Sequence, residues 1–196
     1  MHPTILPPRH LPNLITLLRL LLIWPVVWAI LDGRFGLALA LFLVAGLTDG
    51  LDGFLAKRFG WQSRLGAILD PIADKLLLVS CYWTTALVGV VPIWLVVLIS
   101  FRDLAILAGA AYLLLRDPDL KIQPSPLSKL NTALQILYLL LLFGHLGLTL
   151  FPEPLLFGFQ TAVLLSTVAS GVHYALLFWQ KLMRERSRSV QRAPFT

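Results

Sequence analysis

Four aspartates stand at regular intervals in an otherwise apolar stretch. The pattern is Asp49-x-x-Asp52-Gly53-x-x-Ala56 and then, with eight residues intervening after Lys57, Gly66-x-x-x-Asp70-x-x-x-Asp74. Residues three, four and seven apart share a helix face, so Asp49, Asp52, Gly53 and Ala56 form one stripe and Gly66, Asp70 and Asp74 another. Carboxylates crowded into a dry site raise one another's pKa and cannot all stay ionised. Bound cations remove that conflict. An all-carboxylate donor set favours a hard ion, Mg2+ or Mn2+, over zinc. Two such ions about 3.5–4 Å apart suit substitution at phosphorus. The small residues Gly53, Ala56 and Gly66 leave room for a ligand against the backbone. The bland alternative is that the acids cap helices or pair with Lys57, Arg58 and Lys75.

The elements that carry these residues are membrane helices. Five of the ten acidic residues, Asp49, Asp52, Asp70, Asp74 and Asp103, lie in segments apolar enough to enter a bilayer. The chain is 58% hydrophobic and only 13% charged, against about 25% charged in ordinary soluble domains. A crossing helix needs about 20 mostly apolar residues. Six stretches qualify: Asn13 to Leu31, Phe35 to Ala56, Gly66 to Val90, Pro92 to Leu115, Leu130 to Leu150 and Pro154 to Gln180. The expected fold class is therefore all-α, a polytopic membrane protein with six transmembrane helices, forming a single domain over residues 1–196. An intramembrane charge costs at least about 2.5–3.5 kcal/mol on insertion scales, which makes these aspartates functional candidates. The short connection between the second and third spans predicts antiparallel neighbours that bring the four carboxylates to one membrane face.

Charge sets the direction. The net charge is +6. Six spans place both termini on one side, together with Arg9, Lys57, Arg58, Arg64, Arg116, Lys121, Lys129, Lys181, Arg184, Arg186, Arg188 and Arg192, and leave only Arg34 on the other. The excess of cations predicts cytoplasmic termini and an aspartate cluster near the cytoplasmic face. The run from Lys181 to Arg192 anchors that topology or touches anionic headgroups. No basic stripe interleaved with aromatics is present, so no nucleic-acid partner is expected. Cys81, the single cysteine, can form neither an internal disulfide nor a thiolate metal site, and is read as a buried small hydrophobe. The first apolar run is long and carries Arg19, unlike a signal peptide.

The aspartate pattern resembles the signature of the CDP-alcohol phosphotransferases (CDP-alcohol phosphatidyltransferases), a family of six-helix membrane enzymes. Pro12-Asn13-Leu14-Ile15-Thr16-Leu17-Leu18-Arg19 and Leu69-Asp70-Pro71-Ile72-Ala73-Asp74-Lys75 are similar to the same family. The resemblance implies that Asp49, Asp52, Asp70 and Asp74 hold two divalent cations, Mg2+ or Mn2+. It makes Asp74 the general base, and it places Gly53, Ala56, Lys57 and Gly66 around the CDP-lipid. It also implies CDP-diacylglycerol as donor, release of CMP, a homodimer, and a bacterial-type inner membrane with the site facing the cytoplasm. Lys57 stands where the family commonly has arginine, which keeps the charge but loses the two-pronged hydrogen-bonding fork.

Arg19, Arg58 and Arg102 are candidate phosphate contacts. Arg19 shares a ridge with Asn13 and Thr16, and pairing with an aspartate is an equal alternative for it. Adjacent helical residues diverge by about 100°, so Arg102 and Asp103 are each expected to find a partner on a different neighbour. His145 and His173 are isolated and read as packing or hydrogen-bonding residues. The leucine-rich fifth and sixth spans read as lipid contact and bundle core.

The acceptor alcohol is read from a second segment. Ser128-Lys129-Leu130-Asn131-Thr132-Ala133-Leu134-Gln135 resembles the CMP-forming cardiolipin synthase branch, as does Arg102-Asp103 followed by Tyr112. Phosphatidylglycerophosphate synthases carry a further cation where this chain has Leu107-Ala108-Gly109-Ala110-Ala111. A glycerol-3-phosphate acceptor brings a dianionic phosphate that calls for basic contacts. The missing cation therefore favours phosphatidylglycerol, with glycerol-3-phosphate as the alternative. Lys129, Asn131 and Thr132 are the expected acceptor contacts. Two rival classes are weaker. Intramembrane prenyltransferases usually have more spans and lack the Gly53 and Gly66 spacing. An ion transporter would favour acids near the midplane and inverted repeats, whereas the four aspartates cluster toward one face.

Overall fold

The computed structural model describes the backbone of residues 11–59, 64–116 and 125–191, and side chains at 16–48, 72–116, 125–181 and 183. Among the described residues there are six helices and no strand: α1 Leu11–Leu31, α2 Phe35–Phe59, α3 Arg64–Leu87, α4 Ile93–Arg116, α5 Pro126–Leu148 and α6 Glu153–Gln191. All-α architecture is as the hydropathy pattern predicts. The helices α4 and α5 and the stretch Glu153–Lys181 of α6 are long and apolar enough to cross a membrane, and α1 and α2 carry the apolar stretches Thr16–Leu31 and Phe35–Thr48.

Three tight connections lie at one end of the bundle. α1 stops at Gly33, whose φ of 71° is left-handed. The Arg34 N–H donates to the Ala29 carbonyl and the Gly33 N–H to that of Ile30, the Schellman arrangement that satisfies carbonyls at a helix end. Gly89, with φ 76°, ends α3 in the same way, so α3 stops at Leu87, short of the expected Val90. α5 ends on Thr149 in the left-handed region. At the opposite end α5 starts at Pro126 rather than Leu130. Ser125 caps it, its Oγ accepting from the Ser128 N–H at 3.2 Å, with proline in the first turn where no N–H is needed. α6 runs past the expected Gln180 to Gln191. Its 39 residues span roughly 58 Å, nearly twice the hydrocarbon core, so the basic run continues the helix.

α1 packs on α2 and α3, α5 on α2, α3 and α6, and α4 on α3 and α6. Sequence reasoning expected α2 and α3 to be antiparallel neighbours. Among the described residues both helices pack on α1 and α5, and the facing ends joined by the short connection lie outside the described side chains. The buried core draws on every helix, including Val26, Ile30, Phe42, Tyr82, Leu95, Phe143 and Val163. Cys81 is buried, as expected. The backbones of α5 and α2 approach closely, so that a Cβ built on Gly147 would lie 2.3 Å from the Gly36 nitrogen. Small residues permit such contacts where helices in lipid associate by close packing.

The distribution of polarity is that of a lipid-solvated bundle. Leu21, Trp24, Phe101, Leu104, Leu107 and Phe157 face outward, while Thr16, Arg19, Arg102, Asn131, Gln135, Thr167 and Ser170 are buried. An outer surface this apolar marks contact with something other than water.

Candidate active site

The aspartate-bearing segments occupy the end of the bundle opposite the tight turns. Asp49, Asp52, Gly53, Ala56, Lys57 and Arg58 fall on the last turns of α2, and Gly66 and Asp70 on the first turns of α3. Helical backbone at both places keeps the expected stripes in register. The side chains of these eight residues lie outside the described residues. Among the described residues no group of three acidic, His or Cys side chains converges, and Asp74 is the one candidate ligand so described.

Asp74 is positioned by α1. The Nη1 of Arg19 donates to Asp74 Oδ1 at 2.6 Å. Arg19 is 1% exposed and Asp74 44%, so a buried guanidinium orients a carboxylate that a ligand can reach. Pairing with an aspartate, one of the two roles open to Arg19, is seen directly. Thr16, one turn before it, is buried on the same ridge.

The next residue of α3 points to another helix. Lys75 Nζ pairs with Asp103 Oδ2 on α4. Asp103 Oδ1 accepts from Arg102 Nη1 at 2.8 Å. Arg102 Nη2 donates to Ser128 Oγ on α5 at 2.7 Å and to Ser170 Oγ on α6. Its guanidinium also lies 5.9 Å from the centre of the Tyr174 ring. Arg102 and Asp103 thus each find a partner on a different neighbour, as helix geometry predicts, and they bridge to each other as well. Both Nη groups of Arg102 are engaged by the protein's own side chains.

The acceptor segment spreads over different surroundings. Lys129 is exposed. Asn131 is fully buried, its Oδ1 accepting from Ser166 Oγ at 2.8 Å and Thr167 Oγ1 at 3.0 Å. Thr132 is half-buried and donates to the Ser128 carbonyl of its own helix. Further along, the Tyr82 hydroxyl donates to the Gln135 carbonyl, and Tyr138 donates to Gln160 on α6. Tyr112 stacks edge-on against Phe178 of α6 and lies beneath Arg116. His145 Nδ1 lies 2.6 Å from the Phe151 carbonyl, and His173 packs edge-on against the Tyr174 ring, the hydrogen bonding and packing expected of them.

Sequence reasoning missed the polar face of α6. Ser166, Ser170 and Tyr174 recur every four residues in a leucine-rich helix, with Thr167 beside them, and that spacing was the available signal. The Tyr174 hydroxyl accepts from the Ser125 N–H at 3.0 Å, so this face meets the start of α5 rung by rung. Interhelical hydrogen bonds from Ser and Thr are a common means of helix association in lipid. Lys75 was also passed over, except as a possible neutralising partner for the acids.

Residues 9–178 match the family model for CDP-alcohol phosphatidyltransferase. The cardiolipin synthase (CMP-forming) of Rattus norvegicus is 34% identical over 146 residues, 66% of this chain and 48% of the rat protein. That of Homo sapiens is 32% identical over the same shares. A cardiolipin synthase (CMP-forming) / mitochondrial hydrolase fusion protein of Schizosaccharomyces pombe is 31% identical over 185 residues, 85% of this chain and 30% of the yeast protein. The chain spans about half the length of the mammalian relatives it matches. The match to the family model covers most of the chain, including all four spaced aspartates: the chain belongs to the CDP-alcohol phosphatidyltransferase family.

Proposed function

We propose that this protein transfers a phosphatidyl group from CDP-diacylglycerol to a glycerol hydroxyl of phosphatidylglycerol, giving cardiolipin and CMP. The observation that carries this is the Arg19–Asp74 pair at the charged end of the bundle, within a stretch that matches the family model. Asp74 takes the proton of the attacking hydroxyl. The freed oxygen forms a bond to the phosphorus bearing diacylglycerol, the phosphoanhydride bond to CMP breaks, and CMP leaves with the electron pair. Arg19 holds Asp74 Oδ1 and so fixes the orientation in which the carboxylate meets the hydroxyl. Gly53, Ala56, Lys57 and Gly66 border the CDP-lipid.

The donor set fits hard divalent cations, since the spaced residues are all carboxylates and the described member is accessible. Two Mg2+ or Mn2+ ions held by Asp49, Asp52, Asp70 and Asp74 would neutralise those carboxylates and stabilise charge on the departing phosphate.

Phosphatidylglycerol is favoured as acceptor by the names of the relatives and by the uncharged Leu107–Ala111 stretch, where Gly109 packs against Phe178. Lys129, exposed at the start of α5, supplies a point charge for the acceptor phosphate. Thr132 and Asn131 follow it on the same helix, Asn131 acting through the α5–α6 contact it makes. Arg58 remains a candidate phosphate contact, and Arg102 is one only if it exchanges a present partner. Glycerol-3-phosphate is the alternative acceptor. In this reading six helices cross an inner membrane, both termini and the aspartates face the cytoplasm, and the protein works as a homodimer.

Purified protein given labelled CDP-diacylglycerol with phosphatidylglycerol or with glycerol-3-phosphate tests the proposal. Cardiolipin and CMP are expected from the first acceptor only. Product from glycerol-3-phosphate alone would replace the acceptor and keep the chemistry. No CMP release with either would overturn the function.

A further inference from the structure

Lys75, Asp103 and Arg102 form a chain of charges that the proposed chemistry does not use. It begins on the residue next to Asp74 and ends on Ser128, in the segment assigned to the acceptor. Successive residues on α3 point about 100° apart, so this turn is pinned on two sides. Asp74 is held by Arg19 of α1, and Lys75 by Asp103 of α4. Each oxygen of Asp103 is paired with a different cation. Arg102 and Asp103 are 6% and 10% exposed, and Lys75 38%.

Stability alone gives little reason for such a chain. Buried ion pairs are often matched or exceeded in stability by apolar side chains of similar volume, and charges inside a bilayer are costly to insert. What an ion-pair chain does supply is direction. It ties the aspartate turn of α3, through α4, to the first turn of α5 and to Ser170 on α6.

Resting on the transfer reaction proposed above, we infer that Lys75 and Asp103 are a positioning pair. With Arg102 as the hub, they fix the distance between the Asp74 carboxylate and the Ser128–Thr132 segment that presents the acceptor hydroxyl. Neither residue touches the reacting atoms. Their effect falls on the alignment of hydroxyl and base, so their loss lowers kcat and leaves recognition of CDP-diacylglycerol in place.

Full-length protein in lipid nanodiscs, assayed for CMP release with phosphatidylglycerol, tests this. Lys75→Gln and Asp103→Asn are expected to lower kcat by about 10- to 100-fold, the scale of a misplacement of about an ångström. KM for CDP-diacylglycerol should stay within about threefold. Lys75→Arg and Asp103→Glu, which keep the pair, should retain most of the activity. Thermal unfolding of each variant is followed in parallel, and the partly exposed Lys75 carries the test if Asp103→Asn does not fold. Unchanged kcat in Lys75→Gln would overturn the positioning role while the functional reading stands. So would a loss of activity that follows the loss of thermal stability and is not spared in Lys75→Arg. Absence of CMP release from the unsubstituted protein would overturn the functional reading, and the positioning role with it.

Discussion

Replacing Arg102 by glutamine isolates the hub of the polar network. The side chain is buried and donates to Asp103, Ser128 and Ser170. Interhelical hydrogen bonds in lipid are worth about 0.6 kcal/mol each on average, so the two to Ser128 and Ser170 account for about 1 kcal/mol. Removing one member of a buried ion pair costs about 3–5 kcal/mol, because the other charge is stranded. Asp103 keeps Lys75, and the two contributions overlap, so the lower end applies: about 3 kcal/mol. For a chain of this size each kcal/mol moves Tm by roughly 2–4 °C. Arg102→Gln should therefore melt roughly 6–12 °C below the unsubstituted protein. Cys81 provides the assay, since it is the one cysteine and is buried. A thiol-reactive fluorophore lights up only when the bundle opens. Arg34→Gln is the control, because the Arg34–Asp32 pair is exposed on both sides and such pairs contribute about 0–1 kcal/mol. If Arg102→Gln melts no lower than Arg34→Gln, the buried network does not stabilise the bundle as reasoned from its partners.

Other outcomes are as specific. Asp49→Asn, Asp52→Asn or Asp70→Asn should each abolish CMP release, and excess chelator should do the same to the unsubstituted protein; full activity in chelator would remove the metals from the proposal. Asp74→Asn should stop turnover while sparing much of the CDP-diacylglycerol affinity, measured by equilibrium binding, because a base acts on the acceptor; an active variant would remove Asp74 from that role. Gly147→Ala sets a methyl group 2.3 Å from the Gly36 backbone and should destabilise by about 1–3 kcal/mol or more. At temperatures where it is folded its kcat should be normal, since this contact lies at the end away from Asp74. A C-terminal tag should be shielded from impermeant reagents in intact cells, and labelling from outside would reverse the topology.

Much of the fold was legible because its signals are local. Runs of apolar residues broken by Asp32-Gly33-Arg34, Pro92 and Pro152-Glu153-Pro154 mark out the helices. The spacing of Asp49, Asp52, Gly53, Ala56, Gly66, Asp70 and Asp74 marked the family by itself. Charge next to charge at Arg102-Asp103 was enough to expect partners on two different helices. The mismatches arose where a signal was weak or non-local. The α5 start moved to Pro126 because a Ser-Pro cap outweighs the local loss of hydropathy. Hydroxyl groups on α6 hardly alter hydropathy, so the face built from Ser166, Ser170 and Tyr174 is hidden in a span that reads as lipid contact and bundle core.

Which helices touch was decided only by tertiary structure. Periodicity assigns each residue to a face but says nothing about the helix that face will meet. In lipid the apolar faces are nearly equivalent as partners, and the choice falls to close backbone approach and buried polar groups. Gly36 against Gly147 draws α2 to α5. Arg19 meeting Asp74 joins α1 to α3, and α1 packs on both aspartate helices. Asn131 turns toward Ser166 and Thr167, and Lys75 toward Asp103, because the rotation of each helix is settled by the polar atoms it must satisfy away from water.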